Sequence, residues 1–321
     1  MTQAPGQAEG QASREAGPAR EPGGVASLLL AARDIKLAHS VFALPFAVLA
    51  AFLARDAAAG WGRFAGQLGL VVVCMVAART WAMLFNRLVD RRFDAANPRT
   101  ARRAVASGAR GGGGAWGLAA GSAGLFVACA GLFGVLFANW WPAMLSVPVL
   151  AWIAFYSLTK RFTLLCHVFL GGALAASPLA AALAIEPGSL VGAGSAALWW
   201  LSAMVLLWVA GFDVVYALQD IEFDRSAGLR SVPARLGWRG AAWVARGLHV
   251  LAAGALVMAW MAEARLGWVF GAAVVVVLGV LVLEHVVLAR RGERGLEMAF
   301  FTLNGVVSCV LGAAGVVDVV V

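Results

Sequence analysis

The sequence predicts an all-α, polytopic membrane protein with nine transmembrane helices, and three observations lead to this fold class. Hydrophobic residues make up 62% of the 321 residues, charged residues make up only 13%, and the mean hydropathy is +0.83. An ordinary soluble domain has about 45–50% apolar and about 25% charged residues. Apolar runs of roughly 20 residues, the length that crosses a bilayer as a helix, recur along the chain without long strand patterns between them.

The N-terminal segment differs in composition from the rest of the chain. Residues 1–26 are rich in Gly, Ala, Pro, Gln and charge, and they contain no apolar core of the kind found in a secretory signal. We therefore expect a disordered leader at 1–26, followed by a single transmembrane domain at 27–321.

The elements of that domain are predicted as apolar helices that end at charges or at clusters of Gly and Pro. Each is long enough, or nearly long enough, to cross the hydrocarbon layer. Nine such segments occur in the sequence, near 36–54, 66–87, 115–137, 139–158, 163–185, 196–219, 241–262, 267–288 and 298–320.

The basic residues are distributed unevenly between the predicted loops. If the N-terminus is cytoplasmic, 21 of the 25 Lys and Arg residues fall in cytoplasmic segments; Arg55, Arg63 and Arg265 fall outside, and Arg79 lies within a span. Positive charge marks cytoplasmic loops, so we predict an N-in, C-out topology. The net charge of +8 then requires no nucleic-acid partner.

The four cysteines lie inside apolar runs without CxxC spacing, which argues against a disulfide framework and a zinc site.

The end of the second span carries the first motif with chemical meaning. The sequence NRLVDRRFDAANP spaces Asn86, Asp90 and Asp94 four residues apart. At about 100° per residue, these three side chains fall within about 80° of one another on a helix. Two carboxylates and an amide oxygen therefore share one face where the helix leaves the membrane.

The end of the sixth span carries a second acidic face. In DVVYALQDIEFD, Asp213, Asp220 and Asp224 are seven and four residues apart, which puts them within about 40° of one another. Both faces emerge from even-numbered spans, so the predicted topology brings both to the cytoplasmic side, where they can meet across one cavity.

Clustered carboxylates repel each other and are costly to desolvate unless a cation neutralises them. Oxygen ligands without His or Cys favour Mg²⁺, which takes one or two carboxylates per ion and completes its shell with water and phosphate oxygens. A diphosphate is the natural bridging ligand for such a site. The alternative is that these carboxylates only form ion pairs with neighbouring arginines.

Four further residues are candidates for substrate contacts. Arg79 lies seven residues before the first motif and on nearly the same helix face, so it needs an anion, either a substrate group or Asp213. After the fourth span, YSLTKR carries Tyr156, Lys160 and Arg161 to the cytoplasmic edge, where a cation could neutralise a leaving diphosphate. The alternative for this Lys-Arg pair is to anchor the helix end. The remaining candidates within the spans, His167, His249 and His285, lack metal-ligand spacing and are predicted to be packing residues.

With these motifs the sequence resembles the UbiA superfamily of intramembrane aromatic prenyltransferases, most closely its bacterial 4-hydroxybenzoate polyprenyltransferases. The resemblance rests on the NxxxDxxxD and DxxxD helix ends, the YSLTKR segment, and the flanking stretches KLAHSVFALPF and GLRSVPARLG. It implies helices around a central cavity that opens to lipid. It further implies that Tyr156 and Asp213 lie in that cavity and that Lys160 and Arg161 contact a polyprenyl diphosphate. Five residues would hold Mg²⁺: Asn86, Asp90, Asp94, Asp220 and Asp224. The four aspartates among them are the expected catalytic residues.

The function that this resemblance implies is transfer of a polyprenyl group to the ring of 4-hydroxybenzoate, or a similar phenolic acid, in ubiquinone or menaquinone synthesis. Another acceptor in menaquinone or haem synthesis is an alternative. A cation or diphosphate transporter is a third, but the outer halves of the spans carry almost none of the polar groups that a permeation path needs. The expected partners are a polyprenyl diphosphate, an aromatic acceptor and membrane lipid, and no protein partner can be inferred. The expected location is a bacterial-type inner membrane, with the active site facing the cytoplasm.

Overall fold

The computed structural model of the protein describes residues 42–101, 105, 112–296 and 298–321. The predicted leader and the beginning of the first predicted span lie outside these residues. The described chain contains α-helices, short 3₁₀ and π segments, and no strands. We number the α-helices in chain order: α1 Leu44–Leu53, α2 Trp61–Val89, α3 Arg91–Ala96, α4 Gly112–Phe137, α5 Trp141–Thr159, α6 Cys166–Ile185, α7 Ala196–Tyr216, α8 Ile221–Ser226, α9 Val232–Met261, α10 Trp268–Arg291 and α11 Asn304–Val320.

The described helices confirm the predicted all-α membrane class. Within the described residues, eight segments are long and apolar enough to cross a membrane, and they coincide with the second to ninth predicted spans. The first predicted span is represented by α1, an apolar helix of 10 residues. The last span begins with a π-helical segment, Met298–Leu303, which leads directly into α11.

One helix boundary differs clearly from the prediction. Helix α9 begins at Val232, whereas the apolar run that predicted it begins near residue 241. Ser231 caps the helix by accepting a hydrogen bond from the Ala234 amide, 3.3 Å away. The first turns are rich in Arg and therefore resemble a loop in a hydropathy analysis. They also include a kink at Gly237, whose φ of +67° is a conformation that glycine adopts without strain.

Helix α7 is the centre of the bundle and packs against α6 on one side and α9 on the other. Two glycines permit these close approaches. A Cβ on Gly171 of α6 would lie 2.3 Å from the Leu206 carbonyl oxygen of α7, and a Cβ on Gly211 of α7 would lie 2.3 Å from the His249 ring of α9. Small residues allow membrane helices to pack this closely. The acidic end of α7 is thereby held next to the start of α6.

Four exposed tryptophans lie at helix ends away from the acidic motifs. Trp61 begins α2, Trp141 begins α5, Trp199 lies in the first turn of α7 and Trp268 begins α10, and all four side chains are exposed. Tryptophan is enriched at membrane–water interfaces. These residues are therefore suited to anchor the bundle at the interface opposite the acidic motifs.

The sidedness of the bundle can be tested with two engineered cysteines. Ser226→Cys lies at the exposed end of α8, and Gly188→Cys lies in the turn between α6 and α7, at the opposite end of the bundle. Because the basic loops should face the cytoplasm, we expect a membrane-impermeant thiol reagent to label only Gly188→Cys in intact cells. In inside-out vesicles it should label only Ser226→Cys.

The unmodified chain, whose four cysteines lie within the apolar spans, measures background labelling in both preparations. Labelling of both engineered positions from the same side would contradict the predicted topology.

Candidate active site

The ten residues that the sequence predicts for the site all line one cavity of about 460 Å³. A cavity of this volume is within the range for small-molecule sites. Its mouth is formed by the end of α2 with α3, the end of α5, and the end of α7 with α8. The two acidic motifs thus line a shared space, as expected from their places at the ends of even-numbered spans. The predicted residues that line the cavity are Arg79, Asn86, Asp90, Asp94, Tyr156, Lys160, Arg161, Asp213, Asp220 and Asp224.

The Lys-Arg pair at the end of α5 connects the two acidic motifs. Arg161 Nη2 lies 2.8 Å from Asp90 Oδ1 of the first motif. The neighbouring Lys160 Nζ lies 2.8 Å from Asp224 Oδ1 of the second motif. Asp224 is fully buried, and its other oxygen accepts a 2.7 Å hydrogen bond from the Ser231 hydroxyl. The pair therefore does more than end the helix. Both residues line the site, and each cation contacts one of the two motifs.

A third cation reaches the site from a residue that the motif analysis did not select. Arg99 donates two hydrogen bonds to the Asp220 carboxylate, at 3.0 and 2.6 Å, and a third to the Tyr216 hydroxyl at 3.1 Å. The Asn97 amide also donates to Asp220, at 3.0 Å. In the sequence Arg99 is one of several arginines in a basic loop, and no spacing rule separates it from its neighbours.

Arg79 lies deeper in the cavity than the acidic motifs. Within the described part of the chain it makes no hydrogen bond or ion pair, and its buried Nε has no hydrogen-bond partner. Asp213, the alternative partner for Arg79, instead has its Oδ2 atom 2.6 Å from His167 Nδ1. His167 was predicted to be a packing residue, and the structure shows it buried at the cavity wall beside this carboxylate.

Burial changes the ionisation of groups at the cavity mouth. Burial raises the pKa of the Asp90 carboxyl above its ordinary value, although Arg161 acts in the opposite direction. Burial also acts to lower the pKa of the Lys160 ammonium, but the adjacent Asp224 outweighs it and holds the pKa above the ordinary value. The charge of Arg161 therefore does not fully offset the cost of burying the ionised Asp90 carboxylate. Another cation next to Asp90 would stabilise the ionised form.

The donor set of the two motifs fits Mg²⁺ in chemistry. All five predicted ligands offer oxygen atoms, which is the preference of this hard cation. Among the residues that the structure describes, no group of three or more His, Cys, Asp or Glu side chains is arranged to hold a metal ion alone. Mg²⁺ typically takes one or two protein carboxylates and obtains its other ligands from water and phosphate.

Aromatic rings form part of the wall of the cavity. The rings of Tyr216 and Phe300 stack with centroids 4.1 Å apart, and Phe212 lies 5.5 Å from Phe300 and 5.4 Å from Phe42. Phe300 belongs to the π-helical segment at the start of the last span. The cavity therefore combines a charged mouth with an apolar interior, which suits a ligand that has a polar head and an apolar body.

An all-helical membrane bundle with two acidic helix ends facing each other across such a cavity agrees with the intramembrane prenyltransferase class that the sequence resembles. Comparison with known families agrees with this class. The UbiA prenyltransferase family profile matches residues 43–306, and the chain belongs to that family. It is therefore an integral membrane prenyltransferase.

Two curated relatives that match about three-quarters of this chain carry the same name. The 4-hydroxybenzoate octaprenyltransferase of Shewanella sediminis is 30% identical over 242 residues, covering 74% of this chain and 79% of that protein. The 4-hydroxybenzoate octaprenyltransferase of Nitrosomonas europaea is 29% identical over 237 residues, covering 74% of this chain and 77% of that protein.

Solved structures show the same fold. The apo structure of a UbiA homologue from Aeropyrum pernix K1 has a TM-score of 0.76 at 32% identity, over 87% of this chain and 98% of that one. A UbiA homologue from Archaeoglobus fulgidus, bound to GPP and Mg²⁺, has a TM-score of 0.63 at 18% identity, over 91% of this chain and 100% of that one. At 18% identity, the match to the second structure shows a shared fold only.

Proposed function

We propose that this prenyltransferase carries out the Mg²⁺-dependent transfer of a polyprenyl group from its diphosphate to the ring of 4-hydroxybenzoate, or a similar phenolic acid, in quinone biosynthesis. One observation carries the proposal: the two acidic motifs and the Lys160–Arg161 pair surround the mouth of a cavity whose interior holds an unpaired arginine. The names of the curated relatives support the choice of acceptor.

The proposed magnesium ligands are the oxygen atoms of the two motifs. Asn86, Asp90 and Asp94 would serve one side of the cavity mouth, and Asp220 and Asp224 would serve the other. When bound, Mg²⁺ would supply positive charge that stabilises the departing diphosphate. The raised pKa of Asp90 is consistent with a carboxylate that gains stability from an additional cation.

The donor's diphosphate would be held by the basic side chains that now pair with the motifs. Arg99, Lys160 and Arg161 each form an ion pair with a different aspartate. These pairs keep the carboxylates and the cations near electrostatic balance without substrate, which limits the cost of burying them. On substrate binding, the cations would turn to phosphate oxygens and leave the carboxylates available as ligands.

The acceptor would bind deeper in the cavity, with its carboxylate on Arg79. This guanidinium lies seven residues, or roughly 10 Å of helix, further into the membrane than Asn86. An unpaired cation at that depth is costly and gains most from an anionic ligand. The phenolic ring would then lie between Arg79 and the diphosphate, against the aromatic wall.

The chemistry that follows is substitution on the aromatic ring. The bond between the allylic carbon and the diphosphate oxygen breaks, and its electron pair leaves with the diphosphate. The electron-rich ring forms a new carbon–carbon bond to the allylic carbon, and the substituted ring carbon then loses its proton. Basic side chains around the diphosphate stabilise the charge that develops on it as this bond breaks. The polyprenyl tail would remain in the apolar interior and the surrounding lipid.

The site would face the cytoplasm of a bacterial-type inner membrane, because the basic segments that adjoin the acidic motifs are those that the charge distribution assigns to the cytoplasm. A soluble aromatic acid could enter from that side, whereas the lipid-like donor could enter from the membrane.

Purified protein in lipid provides the direct test of the proposed function. It is incubated with radiolabelled polyprenyl diphosphate, Mg²⁺ and, in separate reactions, 4-hydroxybenzoate, a dihydroxynaphthoate or haem. We expect prenylated 4-hydroxybenzoate and one released diphosphate per product. Product with only another acceptor would correct the substrate, and absence of product with every acceptor would contradict the proposed function.

A further inference from the structure

The His167–Asp213 pair is a polar contact in the cavity that neither metal nor diphosphate binding requires. The two side chains come from helices α6 and α7, and their closest atoms are 2.6 Å apart. His167 is only 3% exposed, whereas the Asp213 side chain is 23% exposed and lines the cavity. The imidazole therefore stands behind the carboxylate, and the carboxylate faces the space where substrates would bind.

The hydrogen bonds of His167 define which ring nitrogen carries a proton. The Val232 amide donates to His167 Nε2 over 3.3 Å, so Nε2 acts as the acceptor. In a neutral imidazole the other nitrogen then carries the hydrogen, and His167 Nδ1 donates to Asp213 Oδ2. This bond fixes one carboxylate oxygen. Within the described chain, Asp213 Oδ1 has no hydrogen-bond partner and is left for a ligand.

The depth of Asp213 matches that of the proposed acceptor. Asp213 precedes Asp220 by seven residues, just as Arg79 precedes Asn86 by seven. Both side chains are therefore roughly 10 Å further along their helices than the first residue of the adjacent motif. A ring whose carboxylate contacts Arg79 would lie beside Asp213, on the inner side of the diphosphate.

Three other aspartates of the cavity are less suited to accept a proton. Asp90, Asp220 and Asp224 each form an ion pair with Arg or Lys. A carboxylate that binds a cation is a weaker proton acceptor, because the cation favours its ionised form. Asp213 instead contacts His167, whose Nε2 accepts a hydrogen bond from the Val232 amide and therefore carries no proton in this arrangement, as in a neutral ring. Asp213 also lies outside the two motifs proposed to bind the metal.

We propose that Asp213 accepts the proton that the acceptor ring loses, and that His167 is the positioning residue that orients Asp213 for this step. The inference rests on the proposed function. The bond between the substituted ring carbon and its hydrogen breaks, its electrons restore the aromatic ring, and the proton forms a bond to Asp213 Oδ1. The proton then passes to water after the product leaves.

Two substitutions of His167 separate orientation of Asp213 from simple packing. His167→Leu removes every hydrogen bond of the ring. His167→Asn also loses the bond to Val232, but its amide can donate from about the position of Nδ1. The two variants thus differ mainly in the bond to Asp213. Asp213→Asn removes the base itself, and His285→Asn on α10 serves as a control outside the lining of the cavity.

The measurements are kcat, the acceptor KM and the kinetic isotope effect with an acceptor deuterated at the reacting ring carbon. Positioned bases contribute about 10²- to 10⁴-fold, so we expect Asp213→Asn to lower kcat by at least about 10²-fold. His167→Leu should lower kcat by about 10-fold with little change in acceptor KM, and His167→Asn should recover most of that loss. A primary isotope effect should appear in Asp213→Asn and His167→Leu, because proton removal becomes slow.

The outcomes distinguish this inference from the function on which it rests. Failure of the unmodified enzyme to prenylate any aromatic acceptor would overturn the proposed function and the role of the pair with it. If the unmodified enzyme is active, absence of an isotope effect in folded Asp213→Asn and His167→Leu overturns the role of the pair in proton removal. The proposed function then remains. Equal losses in His167→Leu and His167→Asn would overturn the orienting role of His167, and thermal unfolding in detergent verifies that each variant is folded.

Discussion

Asp90→Asn and Asp224→Asn are each expected to lower prenyl transfer by about 10³-fold, because each removes a carboxylate proposed to bind Mg²⁺ beside the diphosphate. Loss of a single group that stabilises developing charge costs about 10²- to 10³-fold, and loss of metal binding adds to this cost. Asparagine retains the shape of the side chain and an oxygen that can accept hydrogen bonds. Turnover is measured with saturating acceptor over a range of Mg²⁺ concentrations.

Metal removal tests the same proposal without a substitution. Treatment with EDTA should abolish transfer by the unmodified enzyme, and added Mg²⁺ should restore it. Mg²⁺ together with inorganic diphosphate should also raise the thermal unfolding temperature of the unmodified protein, because ligands that bind the folded state stabilise it. The same addition should produce little stabilisation of Asp90→Asn or Asp224→Asn.

Glu263→Gln provides a matched control, because Glu263 lies in the turn between α9 and α10 and forms an ion pair with Arg265 outside the cavity. It should retain normal turnover and normal Mg²⁺ dependence. Full activity of either aspartate variant, or transfer that is insensitive to EDTA, would mean that the acidic motifs serve only in ion pairs.

The ion pairs seen in the structure change the expected effect of these substitutions on stability. From sequence alone, removal of one carboxylate would relieve repulsion within an acidic cluster. In the structure Asp224 is fully buried against Lys160 and Ser231, so its removal leaves a partly buried ammonium without its partner. Such a loss is destabilising. We therefore expect Asp224→Asn to unfold at a lower temperature than the unmodified protein, and activity is compared at temperatures where both are folded.

The parts of this molecule that the sequence predicts are those governed by local periodicity. Hydropathy alone locates α2, α4, α5, α6, α7, α10 and α11 to within about six residues, because a bilayer requires about 20 apolar residues per span. The spacing of the aspartates predicts which of them share a helix face. Hydropathy gives the wrong start for α9, where a capped and kinked helix carries arginines at its beginning.

Partners that come from distant segments could not be predicted in this way. Arg99 meets Asp220 across 121 positions of sequence, and His167 meets Asp213 across 46. No periodicity connects such residues, and each looks ordinary in its own segment: an arginine in a basic loop and a histidine in an apolar helix. Their roles follow from the way α6 and α7 pack and from the course of the chain after α3.

The unpaired state of Arg79 leads to the second prediction. A guanidinium within a membrane-spanning helix needs an anion, and Asp213, the carboxylate that could serve within the chain, is already bonded to His167. We therefore expect the acceptor's carboxylate to be its partner. A charge-assisted contact of this kind contributes about 1.5 to 3 kcal/mol, so Arg79→Leu should raise the acceptor KM by about 10- to 150-fold. Binding of the polyprenyl diphosphate should change little.

A neutral acceptor analogue makes this prediction specific to charge. The unmodified enzyme should use 4-hydroxybenzamide much less well than 4-hydroxybenzoate, whereas Arg79→Leu should show nearly the same KM for both. Arg63→Leu is the matched control, since Arg63 lies near the opposite end of α2 and bonds to the Phe137 carbonyl. It should preserve the preference for the acid.

Thermal unfolding distinguishes acceptor binding from a structural role for Arg79. If Arg79 served to neutralise Asp213, Arg79→Leu would lower stability, and adding Asp213→Asn would restore it. Because Asp213 pairs with His167 instead, we expect Arg79→Leu to unfold at or above the temperature of the unmodified protein, since an uncompensated buried cation has been removed. A folded Arg79→Leu protein with an unchanged KM for 4-hydroxybenzoate would reject the acceptor-binding role and, with it, the strongest structural argument for an acidic aromatic substrate.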